Sequence, residues 1–226
     1  MDHPFASRRT LVLSMDDVKA MLAVDEAVEV QRRAFVAMAE NKTAAAPSSW
    51  LRLPGDGRRG WLKLLAGFDE VSSGLGVKVL ARFPNNPPGA NLGSLLLLFD
   101  ENDGFPLAVM DGVYVTAVRT GAGAGLATDA LAPGDARTVG LVGTGVVAWY
   151  SLLAVKKCRP ELRDLRIYSR SEERRIKFAE RAADLGFVTE VSDSVASAVE
   201  GADVLITATN SPEPVLMASH LEAGQH

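Results

Sequence analysis

The sequence predicts an α/β chain of two modules: an α+β module, then a parallel sheet with alternating helices that looks cut short at its C-terminus. Three observations carry this prediction. Short strand-like runs separated by turn clusters fill the chain as far as Met110. From Arg137 onward, strand and helix patterns alternate. Between the two textures lies a breaker segment, Pro133–Ala136, so the modules are set at 1–133 and 134–226.

Composition bounds the rest. The chain has 226 residues, 47% of them hydrophobic and 23% charged, which suits a globular fold with a real core. A net charge of −4 gives no basic field for nucleic acid, and no basic amphipathic helix points to a membrane surface. The densest apolar run, Leu95–Phe99, is far too short to span a bilayer. MDHPFASRRT has no apolar stretch of a signal peptide, and the single cysteine, Cys158, cannot make an internal disulfide. The three histidines, at 3, 220 and 226, have no metal-ligand spacing. The expected setting is cytoplasmic, with no metal.

In chain order, Ser14-Met-Asp-Asp17 reads as a capped helix start. A second helix runs from Asp25 to Glu40, with Ala27, Val28, Ala34, Phe35 and Met38 at helical spacing, and Ala44-Ala-Ala-Pro47 breaks it. Strands follow at Trp50–Leu53, Trp61–Ala66, Leu75–Ala81, Leu92–Phe99 and Pro106–Met110. Turn clusters at Pro54–Gly57, Pro84–Gly89 and Asp100–Gly104 separate them, as expected of a mostly antiparallel sheet. A helix rich in small residues covers Tyr114–Ala130. Beyond the breaker come strands at Val139–Val142, Leu165–Tyr168, Phe187–Val191 and Asp203–Ala208. The helices between them are Val146–Lys157, Ser171–Leu185 and Ser194–Val199. Such alternation means parallel βαβ units. A fifth strand is expected where the chain stops, at Glu222–His226.

The first of these strands runs into its helix through Gly143-Thr144-Gly145-Val146-Val147-Ala148. Gly-x-Gly-x-x-Ala at that place is the dinucleotide fingerprint of a Rossmann-type sheet. Gly143 makes the tight turn, Gly145 lets a pyrophosphate approach, and Ala148 lets the helix pack close to the strand. The second strand ends in Tyr168-Ser169-Arg170-Ser171. No carboxylate is placed there to accept from a ribose 2′-hydroxyl, while Arg170, with Arg174 beyond it, suits a 2′-phosphate. This favours NADP(H) over NAD(H) and counts against an S-adenosylmethionine site. Arg174 and Arg175 read equally well as solvated surface charges.

Two upstream residues stand out. Lys78 sits in an otherwise apolar strand, where an edge or snorkelling position is the commoner explanation. Arg119 lies in the small-residue helix just before Gly121, Gly123 and Gly125, and its planar fork suits a carboxylate. The three glycines fit a close helix-packing face better than a second phosphate loop.

With these segments in place, the chain resembles the ornithine cyclodeaminase/μ-crystallin family from about Ser14 to its end. The matching stretches are Gly76-Val-Lys78, Phe83–Pro87, Gly104–Gly112, Thr116-Ala-Val-Arg119-Thr120, Gly143–Ala148 and Gly201–Thr209. The resemblance implies a nicotinamide-dependent enzyme acting at the α-carbon of a small amino or imino acid, with the dinucleotide bound between the modules and a homodimer paired through the first sheet. An ornithine- or lysine-type cyclodeaminase using NAD, and a non-catalytic NADPH- and ligand-binding protein, are the alternatives. It implies that Arg119 clamps the substrate carboxylate and that Lys78 helps bind it or moves a proton. Thr120 and Asp111-Gly112 line the cleft, and Thr207, Ala208 and Thr209 contact the cofactor. The chain departs from the family in having Ser49 where many members place an arginine, with substitution by Arg52 left open, and Val147 where many have glutamine. The family's catalytic aspartate and closing helices lie beyond His226, so cleft and acid are expected to be incomplete in a chain of this length.

Overall fold

The computed structural model of the protein describes residues 7–55, 59–87 and 89–226. The start of the N-terminal segment with His3, Asp56-Gly57 of the first turn cluster and Pro88 of the second lie outside the described residues. The described residues fall into two compact units, one within Met1–Ala23 and Val30–Thr116, the other within Val24–Glu29 and Ala117–His226.

The first unit is built on a seven-stranded sheet: β1 (Leu11–Leu13), β2 (Thr43–Ala45), β3 (Ser49–Arg52), β4 (Trp61–Asp69), β5 (Gly74–Arg82), β6 (Leu92–Phe99) and β7 (Pro106–Asp111). Its order is β1-β7-β6-β5-β4-β2, with β3 also paired to β4, and every pairing is antiparallel except β1 with β7. The sequence pattern misses β1 and β2, because three residues are too few to show a period; only their partners define them. Thr43–Ala45, of which Ala44 and Ala45 read in sequence as part of a breaker, pairs with Gly67–Asp69.

Register sorts the side chains onto two faces, since residues directly opposite each other share one. One face carries the rows Trp50, Lys63, Leu80, Ser94 and Leu65, Lys78, Leu96, Met110. The other carries Leu51, Leu62, Ala81 and Leu64, Val79, Leu95, and it is apolar yet open: Leu51 is 58% and Leu95 51% exposed.

Two helices precede β2. α1 (Met15–Met21) starts with a capping box, Ser14 accepting from the Asp17 N–H while the Asp17 carboxylate accepts from the Ser14 N–H. The Ser14 hydroxyl, which donates to the Asp17 carboxylate at 2.6 Å, and after it the Ser14 N–H hold the Asp17 carboxyl below its usual range. α2 (Val24–Ala39) buries Ala27, Val28 and Ala37. Phe35 and Met38, which share the helical spacing, are exposed instead: the apolar stripe is wider than the surface that this chain lays against it.

The second unit has the βαβ order expected, with each element within a residue or two of its predicted ends. After α3 (Val113–Leu131) come β8 (Thr138–Val142), α4 (Val146–Cys158), β9 (Asp164–Tyr168), α5 (Glu172–Ala183), β10 (Val188–Val191), α6 (Val195–Val199) and β11 (Val204–Thr207). The four strands are parallel in the order β10-β9-β8-β11. Leu141, Leu165 and Ile167 from the sheet and Leu152 and Val155 from α4 are fully buried, which is why these strands read as continuous apolar runs. At the outer edge of β11, His226 donates to the Asp203 carbonyl and accepts from the Leu205 N–H.

The division between units falls inside α3 rather than at Pro133. The reason is local. A Cβ on Gly121 would stand 2.3 Å from the Tyr150 carbonyl oxygen, and one on Gly125 would stand 2.8 Å from that of Ala154. The two helices touch backbone to backbone there, so Gly121 and Gly125 form a packing face and Gly123 stands off it. Arg159, 7% exposed, reinforces it by donating to the carbonyls of Thr128, Ala132 and Pro133 at the end of α3 while pairing with Glu161.

Candidate functional site

In the second unit, strand order reverses at β8: β9 and β10 lie to one side and β11 to the other. The crevice beyond the carboxyl ends of such a pair is where open α/β sheets bind ligands. The sequence-predicted cofactor residues Gly143–Val147, Ser169 and Arg170, and Thr207–Thr209 all lie at or just beyond the ends of β8, β9 and β11.

Gly143 takes a φ of +112°, and its N–H donates to the Tyr168 carbonyl at 2.8 Å. Its missing Cβ is needed on steric grounds as well, because Ala208 lies directly against it. Gly145 caps α4 in an extended conformation with no side-chain hydrogen bond to the helix start. Among the described residues, its chain neighbours apart, nothing lies within 4 Å of a Cβ placed there. Ala148 is fully buried, while Val146 and Val147 are exposed. The result is a helix start with bare N–H groups and the positive end of the dipole, beneath open space of the kind a pyrophosphate requires.

A chain of hydroxyls ties this turn to β9. Thr144 Oγ1 donates to Ser169 Oγ at 3.1 Å, and Ser169 Oγ donates to the Ser171 carbonyl at 3.2 Å. Ser171 in turn caps α5, accepting from the Arg174 N–H. Arg170 and Arg174 are exposed. Arg175 is not the solvated charge that its neighbourhood in sequence suggests: it donates to the Ser192 carbonyl at 2.9 Å and lies over the Tyr168 ring. It fastens the loop after β10 to the end of β9. At the far side of the turn, the Ala208 N–H donates to the Val142 carbonyl, and Thr209 Oγ1 accepts from the Ser211 N–H.

The first unit holds the other candidate. Lys78 stands half-buried in the middle of β5 between Leu65 and Leu96. Together with Gly67, Gly76 and Met110 these line a cavity of about 340 Å³ on that face of the sheet. Central rather than edge placement removes the commonest explanation for a lysine in an apolar strand. Asp111, expected in the cleft lining, is committed as the cap of α3, its carboxylate accepting from the N–H groups of Val113 and Tyr114. Gly112 is needed by β6, since a Cβ there would meet Ser94 Oγ at 2.4 Å. Arg119 is exposed and Thr120 half-buried in the part of α3 belonging to the second unit.

Among the described residues no group of His, Cys, Asp or Glu is arranged to hold a metal ion, and no helix is long and apolar enough to cross a membrane. Sequence reading names Arg52 as a substitute for the family arginine that Ser49 replaces, and passes over Lys63 and the two tryptophans beside it. Their one signal is the alternation in Trp61–Leu65, which puts Lys63 in phase with Leu65, but its meaning depends on the β4–β5 register.

The fold is shared with known proteins. The alanine dehydrogenase of Archaeoglobus fulgidus is 32% identical over 221 residues, covering 96% of this chain and 65% of its own length. The Δ1-pyrroline-2-carboxylate reductase of Thermococcus litoralis, solved with NADH and L-proline, superposes with a TM-score of 0.90 at 31% identity, over 96% of this chain and 67% of that one. An archaeal alanine dehydrogenase dimer with bound NAD gives 0.89 at 30% identity, over 96% and 66%. The chain thus spans about two thirds of the length of the proteins it matches. The sequence model of the ornithine cyclodeaminase/mu-crystallin family matches residues 8–226, and the chain belongs to that family.

Proposed function

We propose that the protein is a nicotinamide-dependent oxidoreductase acting at the α-carbon of a small amino or imino acid. The observation that carries the reading is the uncapped start of α4 at Gly145, open to solvent at the switch point of a parallel sheet. The relatives named dehydrogenase and reductase, and the two solved structures holding NADH or NAD, support it. When bound, a nicotinamide dinucleotide supplies hydride exchange with the α-carbon.

Each of the chain's own residues has a part. The N–H groups of Val146 and Val147 hold phosphate, and Gly143 and Gly145 keep the backbone clear of it. Thr144, Ser169, Arg170 and Arg174 face the ribose 2′ position; with no carboxylate there, NADP(H) is favoured and NAD(H) is the second choice. Thr207, Ala208 and Thr209 contact the cofactor from the end of β11. Arg119 binds the substrate carboxylate with Thr120 beside it, and Lys78 binds the carboxylate or handles a proton at the amine. We assign the protein to the cytoplasm, and to a homodimer that covers the apolar face carrying Leu51, Leu64 and Leu95.

The test is titration with NADPH and NADH, followed by imino and keto acids with ammonium. Saturable dinucleotide binding and substrate-dependent change in nicotinamide absorbance are expected. In Arg119→Ala the KM for the acid rises sharply while dinucleotide affinity stays put. Loss of dinucleotide affinity in that variant would remove Arg119 from the substrate's side.

A further inference from the structure

We infer that a glycine-floored trough beside Lys78 receives the substrate's side chain, and that it selects an uncharged alkyl chain, with Gly67 setting how long that chain can be. The inference rests on the assignment of Lys78 to the substrate.

On the Lys78 face, the row next to Lys78 toward the β4–β5 turn is Gly67, Gly76, Leu98 and Ala108. Two glycines thus stand opposite each other on interior strands, positions that large and β-branched residues usually fill. A glycine inside a strand marks a bulge, a close backbone approach or the approach of a ligand. Gly76 has the second explanation, since a Cβ there would stand 2.9 Å from the Leu97 carbonyl oxygen. Gly67 has neither of the first two. Its register is regular on both sides, and it has no positive φ. Among the described residues, its chain neighbours apart, a Cβ on Gly67 would meet only the Ala44 carbonyl oxygen, at an ordinary 3.4 Å.

The space the two glycines leave belongs to the cavity of about 340 Å³ that Lys78 lines. Leu65, Leu96 and Met110 flank Lys78 in its own row, and Leu98 closes the glycine row. Past Lys78 the described lining is apolar throughout. Asp69, two residues beyond Gly67 in β4, does not line it; its carboxylate accepts from the Val71 N–H and Ser72 Oγ. The β3–β4 connection enters at Trp61, the opposite end of β4 from Gly67. An alkyl group entering the trough buries apolar surface against leucine and glycine. A charged end gives up its water there to walls that return no hydrogen bond.

The clean series is L-alanine, L-2-aminobutyrate and L-norvaline, which grow by one methylene at a time. L-ornithine and L-glutamate carry an ammonium or a carboxylate at the end of a chain of similar length. Affinities are measured by calorimetry on the intact chain saturated with NADP+ or NAD+, whichever binds more tightly, alongside kcat/KM for nicotinamide reduction. Each methylene from alanine to norvaline is expected to tighten binding about fourfold. Ornithine and glutamate are expected to bind about tenfold more weakly than norvaline, or worse. Gly67→Ala puts a methyl group into the trough and costs norvaline about tenfold relative to alanine. Leu98→Ala lengthens the trough and moves the preference from norvaline to norleucine. Equal binding of the three alkyl acids, all weakened by Lys78→Met, overturns the inference and leaves the oxidoreductase reading standing. Ornithine or glutamate binding as tightly as norvaline overturns it in the same way, as does an unchanged series in a Gly67→Ala protein that melts like the wild type. Should Gly67→Ala not fold, an unchanged preference in Leu98→Ala overturns it instead. Binding of none of these acids by the wild type overturns the inference together with the reading beneath it.

Discussion

A Cβ built on Gly143 would stand 2.3 Å from the carbonyl oxygen of Ala208. The end of β8 is thus pressed against the residue just beyond β11, and the Ala208 N–H returns a bond to the Val142 carbonyl at 2.9 Å. Gly145, two residues on, faces open space. The first glycine of the turn closes the sheet, and the second leaves room for a ligand.

The two glycines are therefore expected to fail differently. Gly143→Ala meets both a positive φ and a backbone contact that cannot give way, and should cost roughly 2–5 kcal/mol of stability. Gly145→Val should cost no more than about 1 kcal/mol, from a poorer helix cap, yet abolish dinucleotide binding. Thermal melts paired with NADPH fluorescence separate the two. A Gly145→Val protein that still binds would remove the pyrophosphate from this turn.

A second contrast lies in α3. Gly121→Ala should destabilise the second unit by roughly 2–3 kcal/mol by pushing α3 off α4. Gly123, with nothing near its missing Cβ, should become more stable by roughly 0.5–1 kcal/mol as alanine, through helix propensity alone. Denaturant midpoints of the two variants should move in opposite directions. Movement in the same direction would mean that α3 does not pack as described.

These cases show where the fold is legible in sequence. Val139–Val142 announces itself because a strand buried on both faces has no polar alternation to interrupt it, and the glycine turn then fixes the start of α4. β1 and β2 give no such signal, since a three-residue edge strand is defined by its partner. Asp111 reads as cleft lining, but its position before Val113 and Tyr114 makes it a helix cap, which the same letters could equally have meant. Arg175 and Arg174 are adjacent and chemically identical. Only the packing of Tyr168 and Ser192 separates a fastener from a solvated charge. The face that Lys63 occupies is defined only by the β4–β5 register, which puts it one row from Lys78.

Arg159 and Glu161 supply a pH-dependent element. The Arg159 guanidinium beside it holds the Glu161 carboxyl below the usual glutamate range, helped by a backbone hydrogen bond. A carboxyl depressed by folding stabilises the folded state above its unfolded pKa, and that contribution is lost as pH falls through the folded value. Acid unfolding should therefore carry a component below the ordinary glutamate pKa that Glu161→Gln removes. Arg159→Met should also remove it, and should cost about 2–4 kcal/mol at neutral pH by leaving the last carbonyls of α3 without donors. Melts between neutral and acidic pH test both. An unchanged acid limb in Glu161→Gln would show that the pair contributes nothing to it.

Cofactor choice turns on Arg170. It comes directly after β9, it is exposed, and among the described residues its side chain makes no hydrogen bond or ion pair. Ser169 beside it is already committed, accepting from Thr144 and donating to the Ser171 carbonyl. A 2′-phosphate would add two negative charges within reach of a guanidinium with no competing partner, whereas a 2′-hydroxyl finds no carboxylate to accept its proton. Arg170→Ala should therefore weaken NADPH binding by about tenfold or more, the worth of a charge-assisted hydrogen bond, and leave NADH nearly unchanged. Arg174 projects from the first turn of α5 beside Glu173, whose carboxyl is held low chiefly by Lys177. Its loss should matter less, because part of its charge is already balanced. Equal weakening of NADPH and NADH in Arg170→Ala would place the arginine against the pyrophosphate or adenine and return the preference to NAD(H).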